Sequence, residues 1–280
     1  MRRVCCLSTV VLGLMVFSGV ASADGLSIRQ IQETTDPNGL SPYHGQYVNA
    51  AGGIVTHIKD GFRFYLQDPA DPDGWGAICV KDFAGALGEV QVGDWVSFTD
   101  VYIEDYRGTT FIQYASDPGG ANPNLDFERD PGHPVPAPKV LTAADLAAPI
   151  EGPTDFWYVA DRRSEPYESM LVTLEDVTVG TKGWGKANPP DNYQLWQGSD
   201  LVWGTDYFSA PTHDPFYHPQ IVPAAELDSI TGIVEHYLKI RDTYAWDYYQ
   251  LCTRFEEDIV PEPGTLSLLV LGLVAAGRRR

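Results

Sequence analysis

The chain has little positive charge: 19 lysines and arginines stand against 38 aspartates and glutamates in 280 residues, a net charge of −19. Five of those cations, Arg2, Arg3, Arg278, Arg279 and Arg280, lie in the terminal segments, leaving 14 for the body between them. Binding a polyanion gains free energy mainly by setting cations against it, so an acidic surface repels phosphate backbones and anionic lipid. Nucleic acid is therefore disfavoured as a partner, and the acidity also suits solubility. Cysteine is scarce, four residues in all, and no pair of Cys-x-x-Cys knuckles can hold zinc. The sequence also has no Gly-x-Ser-x-Gly elbow, no His-Glu-x-x-His pair and no phosphate-cradling loop. A metal-dependent phosphodiesterase would need convergent Asp, Glu, Asn and His side chains on a large α/β sandwich, and both halves of this chain read as short strands. No catalytic residue and no bound cofactor is expected, with calcium left open.

The most specific signals lie at the two ends. Met1 to Ala23 carries Arg2 and Arg3, an apolar stretch from Val4 to Val20, and Ala21-Ser22-Ala23, the pattern of a secretory signal peptide with Asp24 as mature start. Cys5 and Cys6 precede the apolar region instead of following it, which argues against a lipoprotein anchor. Val260 to Arg280 reads VPEPGTLSLLVLGLVAAGRRR: a Pro-Glu-Pro triplet, an apolar run from Leu266 to Ala276 broken by Ser267 and Gly272, then three arginines. The hydrated arginines stay on the cytoplasmic side while the apolar run enters the membrane, and the rigid triplet keeps the junction extended for a processing enzyme. A helix from Thr265 to Gly277 would be only about 20 Å long, against a hydrocarbon core of about 30 Å, so the span is short. On Pro261, Glu262, Pro263 and Arg278, Arg279 and Arg280, this tail (260–280) resembles the PEP-CTERM sorting signal of Gram-negative bacteria that make exopolysaccharide. The resemblance implies export, handling by the sorting and processing machinery of the envelope, contact with the membrane through the tail before processing, and a final place at the outer surface or in the extracellular matrix.

Between the ends the pattern is all-β, with two OB-like small β-barrels in tandem at 24–116 and 139–259 and a Pro/Gly-rich linker at 117–138. In the first half, QYVNAAGGIVTHI carries a glycine pair that marks a bend, Phe62 to Gln67 alternates apolar and polar faces, and short strands follow at Ala77, Trp95 and Thr110. The order of Tyr43, Gly45, Gln46 and Val48, then Gly61, Phe62, Leu66, Gln67 and Asp68, then Asp73-Gly74, then Val92 to Val96 is similar to the OB-fold module found beside extracellular nucleases of the endonuclease/exonuclease/phosphatase superfamily. Asp100 stands where that family has glycine. Pro136 to Leu146 and Tyr167 to Val172 echo the joint and first strand of the same modules, with Ser169 in place of a glycine. GIVEH at Gly232 to His236 repeats GIVTH at Gly53 to His57, with Gly232 at an expected bulge. The resemblance implies the accessory module without the nuclease domain.

Candidate sites follow from residue chemistry. Asp68, Asp71 and Asp73 supply enough oxygens to begin a calcium site, although Asp-Pro and Asp-Gly are also ordinary turn chemistry. His213, Asp214 and His218 could hold a transition metal, but Pro215 and Pro219 break the spacing and favour solvated loop residues. Cys79 and Cys252 survive processing in a compartment where disulfides persist, and either pair or remain small buried hydrophobes. Tyr65, Trp75, Trp184, Tyr193, Trp196 and Trp203 are candidate ligand-binding rings, since exposed aromatics stack on sugars or bases and OB barrels bind across their second and third strands and flanking loops; the same rings could equally fill small barrel cores. With Arg162-Arg163 and Lys182 with Lys186 as the local basic pairs, charge favours extracellular polysaccharide over nucleic acid. The sequence reads as an exported, non-catalytic envelope or matrix protein associated with exopolysaccharide; the alternative is a nucleic-acid-binding OB-fold accessory module related to extracellular nucleases.

Overall fold

The computed structural model describes residues 25–60, 63–81, 90–113, 126–146, 149–151, 156–159, 161–182, 192–206, 208, 218–241 and 244–263. A short helix, α1 (Ile28–Gln32), opens them, capped by Ser27, whose hydroxyl accepts from the Gln30 amide. Five strands follow: β1 (Tyr47–Asp60), β2 (Arg63–Gln67), β3 (Ala77–Lys81), β4 (Trp95–Tyr106) and β5 (Thr109–Gln113). They pair in the order β1-β2-β3-β5-β4, and β4 returns to β1 to close the sheet; β3 and β5 run parallel, the other neighbours antiparallel.

This is a small closed Greek-key barrel. Closure needs a sharp bend in β1, and Gly52 supplies it: its φ is +82, and a Cβ there would lie 1.7 Å from the Val96 carbonyl oxygen. The register of β1 against β4 shifts across the same residues, as the glycine pair led one to expect. Ile28 and Ile31 of α1 plug the barrel against Leu66, Ile78, Val96 and Ile112, all fully buried. Each such side chain contributes roughly 1.5–3 kcal/mol on removal from water.

The stretch read as a linker does more than tether. Within it β6 (Asp126–Asp130) pairs with β4, extending the first sheet, and the His133 amide then donates to the Gly93 carbonyl at 2.8 Å. The remaining strands are β7 (Lys139–Leu141), β8 (Pro149–Glu151), β9 (Phe156–Val159), β10 (Leu171–Lys182), β11 (Tyr193–Gln197), β12 (Asp200–Thr205), β13 (Glu226–Arg241), β14 (Tyr244–Cys252) and β15 (Ile259–Pro261). The second barrel repeats the first strand for strand: β10-β11-β12-β14-β13, with β13 back on β10 and a parallel pair between β12 and β14. The protein is all-β, two OB-like barrels in tandem.

Two details of the sequence reading change. GIVTH lies on β1, the first strand of its barrel, whereas GIVEH lies on β13, which corresponds to β4, so the echo does not join equivalent strands. Gly232 is not a bulge: its pairings with Val172 and the flanking pairs are continuous, and its lack of a side chain instead admits the Cys252 carbonyl oxygen, 2.5 Å from where a Cβ would sit.

Asp100 and Ser169, which replace family glycines, keep the left-handed backbone that glycine would adopt, with φ of 51 and 64. Asp100 is supported by the Asn49 side-chain oxygen, which accepts its amide at 3.0 Å. Ser169 is fully buried, and its hydroxyl makes no hydrogen bond among the described residues. Left-handed strain and a buried unpaired hydroxyl together outweigh the extra chain entropy of glycine. Ser169→Gly is therefore expected to stabilise the protein by about 1 kcal/mol, read as a melting temperature raised by a few degrees.

Candidate functional site: a cleft between the barrels

The alternation of the strands builds the contact between the barrels. On the outer face of the first, Tyr65, Cys79 and Phe111 stand side by side in one row across β2, β3 and β5. Leu171, Ile233 and Cys252 form the matching row across β10, β13 and β14. The two rows pack together with Phe208 as one buried cluster.

Polar contacts seal its edges. The Leu171 amide donates to Gln67 Oε1 at 3.1 Å, the Thr110 amide to Glu168 Oε1 at 3.0 Å, and Thr109 Oγ1 to the His236 carbonyl at 2.9 Å. The Leu238 amide reaches the Arg107 carbonyl at 2.9 Å, and the Tyr65 hydroxyl donates to the Glu235 carboxylate.

One row further along, the faces diverge and a cleft opens. Arg63 pairs with Lys81 across β2 and β3, while Glu235 pairs with Gln250 and Tyr237 with Tyr248 across β13 and β14. The main chamber has a volume of about 530 Å³ and also takes in Tyr106 and Arg107 from the β4–β5 turn. A second chamber of about 330 Å³ shares Arg63, Arg107, Glu235 and Tyr237 with it and adds Lys59 and Trp246.

Cations and rings alternate here. The Lys81 ammonium lies 3.2 Å from the centroid of Phe111 and 4.7 Å from that of Tyr106, the Arg107 guanidinium 5.1 Å from Tyr106, and Lys239 5.4 Å from Trp246. Burial pushes the Lys81 amine down to about 8. Burial would raise Glu235, but Lys59 and Arg63, with the Tyr65 hydroxyl, outweigh it and hold that carboxyl below its ordinary range. Such a surface can hold an anionic or ring-bearing ligand through charge and stacking.

The ligand-binding rings expected from the sequence are mostly elsewhere. Tyr65, Tyr193 and Trp203 are fully buried: Tyr65 between the barrels, Tyr193 in the core of the second, and Trp203 on that barrel's outer face, packed against Tyr248, Tyr237 and Trp246 behind the second chamber. Trp75 and Trp196 are half-buried, Trp75 with its amide on the Pro166 carbonyl and Trp196 with its indole donating to Gln194 at 3.1 Å. Trp184 lies outside the described residues, as do His213 and Asp214, and His218 is buried with its amide on Asp206.

Asp68, Asp71 and Asp73 do not converge as a calcium site. Asp68 closes a turn on the Ala70 amide at 2.9 Å, Asp71 pairs with Arg29 at 3.2 Å and Asp73 with Lys139 at 2.7 Å, so ion pairs and turn chemistry draw the three carboxylates apart. Cys79 and Cys252 share the central cluster as free, buried thiols, with no bridge between them. In the tail, Pro261 is buried in β15 and the Glu262 amide donates to the Glu226 carbonyl at 3.1 Å, while Pro263 is exposed; Arg278, Arg279 and Arg280 lie outside the described residues. The basic residues of the cleft escaped the sequence because they are scattered singly; the signal for Arg63 and Lys81 is that both alternate in phase with Tyr65 and Cys79.

Beside the cleft, Glu165, Glu168 and His236 bring their ligating atoms within 4.8 Å of one another. Both ring nitrogens of His236 are engaged, Nδ1 by the Gly108 carbonyl at 3.0 Å and Nε2 by Asp247 at 2.7 Å, and the Arg162 guanidinium, 2.9 Å from Nε2, already supplies positive charge. The group therefore has the chemistry of a buried acid pair rather than a metal cage. Glu165 accepts from the Tyr249 hydroxyl, whereas Glu168 Oε2 has no partner among the described residues. Burial, and then the charge of Glu165, drive the Glu168 carboxyl well above its ordinary range.

The architecture is thus an all-β pair of OB-like barrels with a sorting tail attached to the second. Residues 260–280 match the family model of the PEP-CTERM protein-sorting motif, the mark of an exported, envelope-targeted protein. Among the curated proteins no significant match is found. Among solved structures the chain is similar to fission yeast Pot1 with ssDNA, at 12% identity over 84% of this chain and 87% of that one, with a TM-score of 0.32. It is also similar to a replication protein A heterotrimer bound to ssDNA, at 10% identity over 88% of this chain and 75% of that one, with a TM-score of 0.21. These likenesses are weak, and the fold stands on the strand pairings themselves. Nothing in them links the chain to a nuclease.

Two outcomes test this geometry. A carboxyl raised in the folded state stabilises fully below its unfolded value near 4.5, and that contribution is lost as pH rises through the folded value. Glu168→Gln should accordingly gain stability relative to the parent as pH rises above 4.5, a difference that denaturant titrations at about pH 4.5 and about pH 8 will read directly. Burial raises the Cys79 thiol to about 12 and Cys252 well above its ordinary value, so neither should react with a thiol reagent in the native state. Unfolding the mature protein without reductant should release both thiols.

Proposed function

We propose that the protein is an exported, non-catalytic component of the envelope or extracellular matrix that binds exopolysaccharide through the cleft between its barrels. The observation that carries this reading is the two connected chambers, about 530 and 330 Å³, lined by rings and hydrogen-bonding groups from both barrels. Two chambers side by side suit a stretch of polymer, with Tyr106, which is 47% exposed, and Trp246 offering faces for sugar rings. The sorting tail supports the same reading, since it marks an exported, envelope-targeted protein, and a polysaccharide outside the cell would be within its reach.

A single strand of nucleic acid, bound as by the accessory modules of extracellular nucleases, is the competing ligand, favoured by the alternation of cations and rings. Calorimetry with exopolysaccharide purified from the producing bacterium is expected to show binding. Tyr106→Ala and Trp246→Ala should each weaken it roughly tenfold, the scale of one lost stacking contact. Undiminished affinity in both variants, with the fold intact by circular dichroism, would overturn the assignment.

A further inference from the structure

The cleft concentrates what the rest of the protein lacks. Outside the terminal segments the chain has 14 basic residues against 37 acidic ones, yet Lys59, Arg63, Lys81 and Arg107 line these two chambers. Against them stand Glu104 and Glu235, and Glu235 is already engaged by the Tyr65 hydroxyl, by Gln250 Nε2 at 3.3 Å and by the Cys252 thiol at 3.5 Å. The cleft is a positively charged slot in a negative body.

A neutral glycan has no use for that arrangement, because stacking and hydrogen bonding do not require cations to be drawn into a partly desolvated site, where their charge is costly. Burial already holds the Lys81 amine at about 8, and an anion placed beside it would relieve that cost. A nucleic-acid strand carries a phosphate on every residue, so its length beyond the cleft would run over acidic surface and be repelled. A polymer whose charges are separated by neutral sugars meets no such penalty.

Resting on the polysaccharide reading above, we infer that the cleft selects carboxylate-bearing sugar residues in a sparsely charged acidic polysaccharide, with the carboxylate directed to Arg107 and Lys81 and the ring against Tyr106.

The test compares the exopolysaccharide of the producing bacterium before and after chemical reduction of its carboxyl groups, with a deoxythymidine oligomer as a third probe. The native polymer should bind, and its reduced form should bind roughly tenfold or more weakly, the scale of one charge-assisted hydrogen bond. Arg107→Asn, chosen because asparagine tolerates the φ of 58 at that position, should cause a similar loss for the native polymer and little for the reduced one. Arg163→Gln, outside the cleft, should change neither. Affinity of the unmodified protein should also fall as salt is added, a readout that needs no variant. Equal binding of native and reduced polymer would overturn this inference and leave the polysaccharide reading standing. Full affinity in Arg107→Asn would remove the carboxylate from the cleft. Binding of the deoxythymidine oligomer with no binding of either polysaccharide, or no binding of any probe, would overturn both.

Discussion

The packing of one outward-facing row of side chains against another fixes everything else in this molecule. Barrels of this size bury their inner faces on their own, and nothing in their closure dictates how two of them sit together. Here Tyr65, Cys79 and Phe111 meet Leu171, Ile233 and Cys252, and the amides and carboxylates around them are paired across the boundary. Strand alternation then determines what lies beside the contact, since the next residues in phase are Arg63, Lys81, Glu235 and Gln250. The cleft is the place where the same two faces, still in register, stop touching.

That geometry reconciles a strongly acidic protein with a slot lined by cations. Dispersed acidic groups keep the body soluble and discourage indiscriminate adhesion to polyanions. The few cations are held by aromatic faces and by the fixed charge of Glu235, so their positions do not depend on flexible side chains reaching out from the surface. Selectivity then resides in the contrast between slot and surroundings more than in any single contact.

The fold was largely legible in the sequence because it is written in local signals. The Gly52-Gly53 bend and the strand over Arg63 to Gln67 both act within a few residues, and each appears where the pattern placed it, although the strand is buried on both faces because the second barrel covers the outer one. The site was not legible for the opposite reason. Arg63, Lys81, Arg107 and Glu235 come from four separate strands or turns and converge only after both barrels have closed and docked. A ring such as Tyr193 looks the same in sequence whether it fills a core or faces a ligand, and its neighbours in space, not in the chain, decide which. The aspartates of the loop after β2 illustrate the same point, since their partners Arg29 and Lys139 lie far away along the chain.

The last strand carries one more implication. β15 ends on Pro261, its Ile259 is buried, and the following amide still bonds to the edge of β13. The first proline of the export label is therefore also a piece of masonry in the second barrel. A peptidase that severed the chain ahead of it would shorten an edge strand by its last paired residue, so a mature product with this wall complete must keep that proline as part of its new carboxyl end.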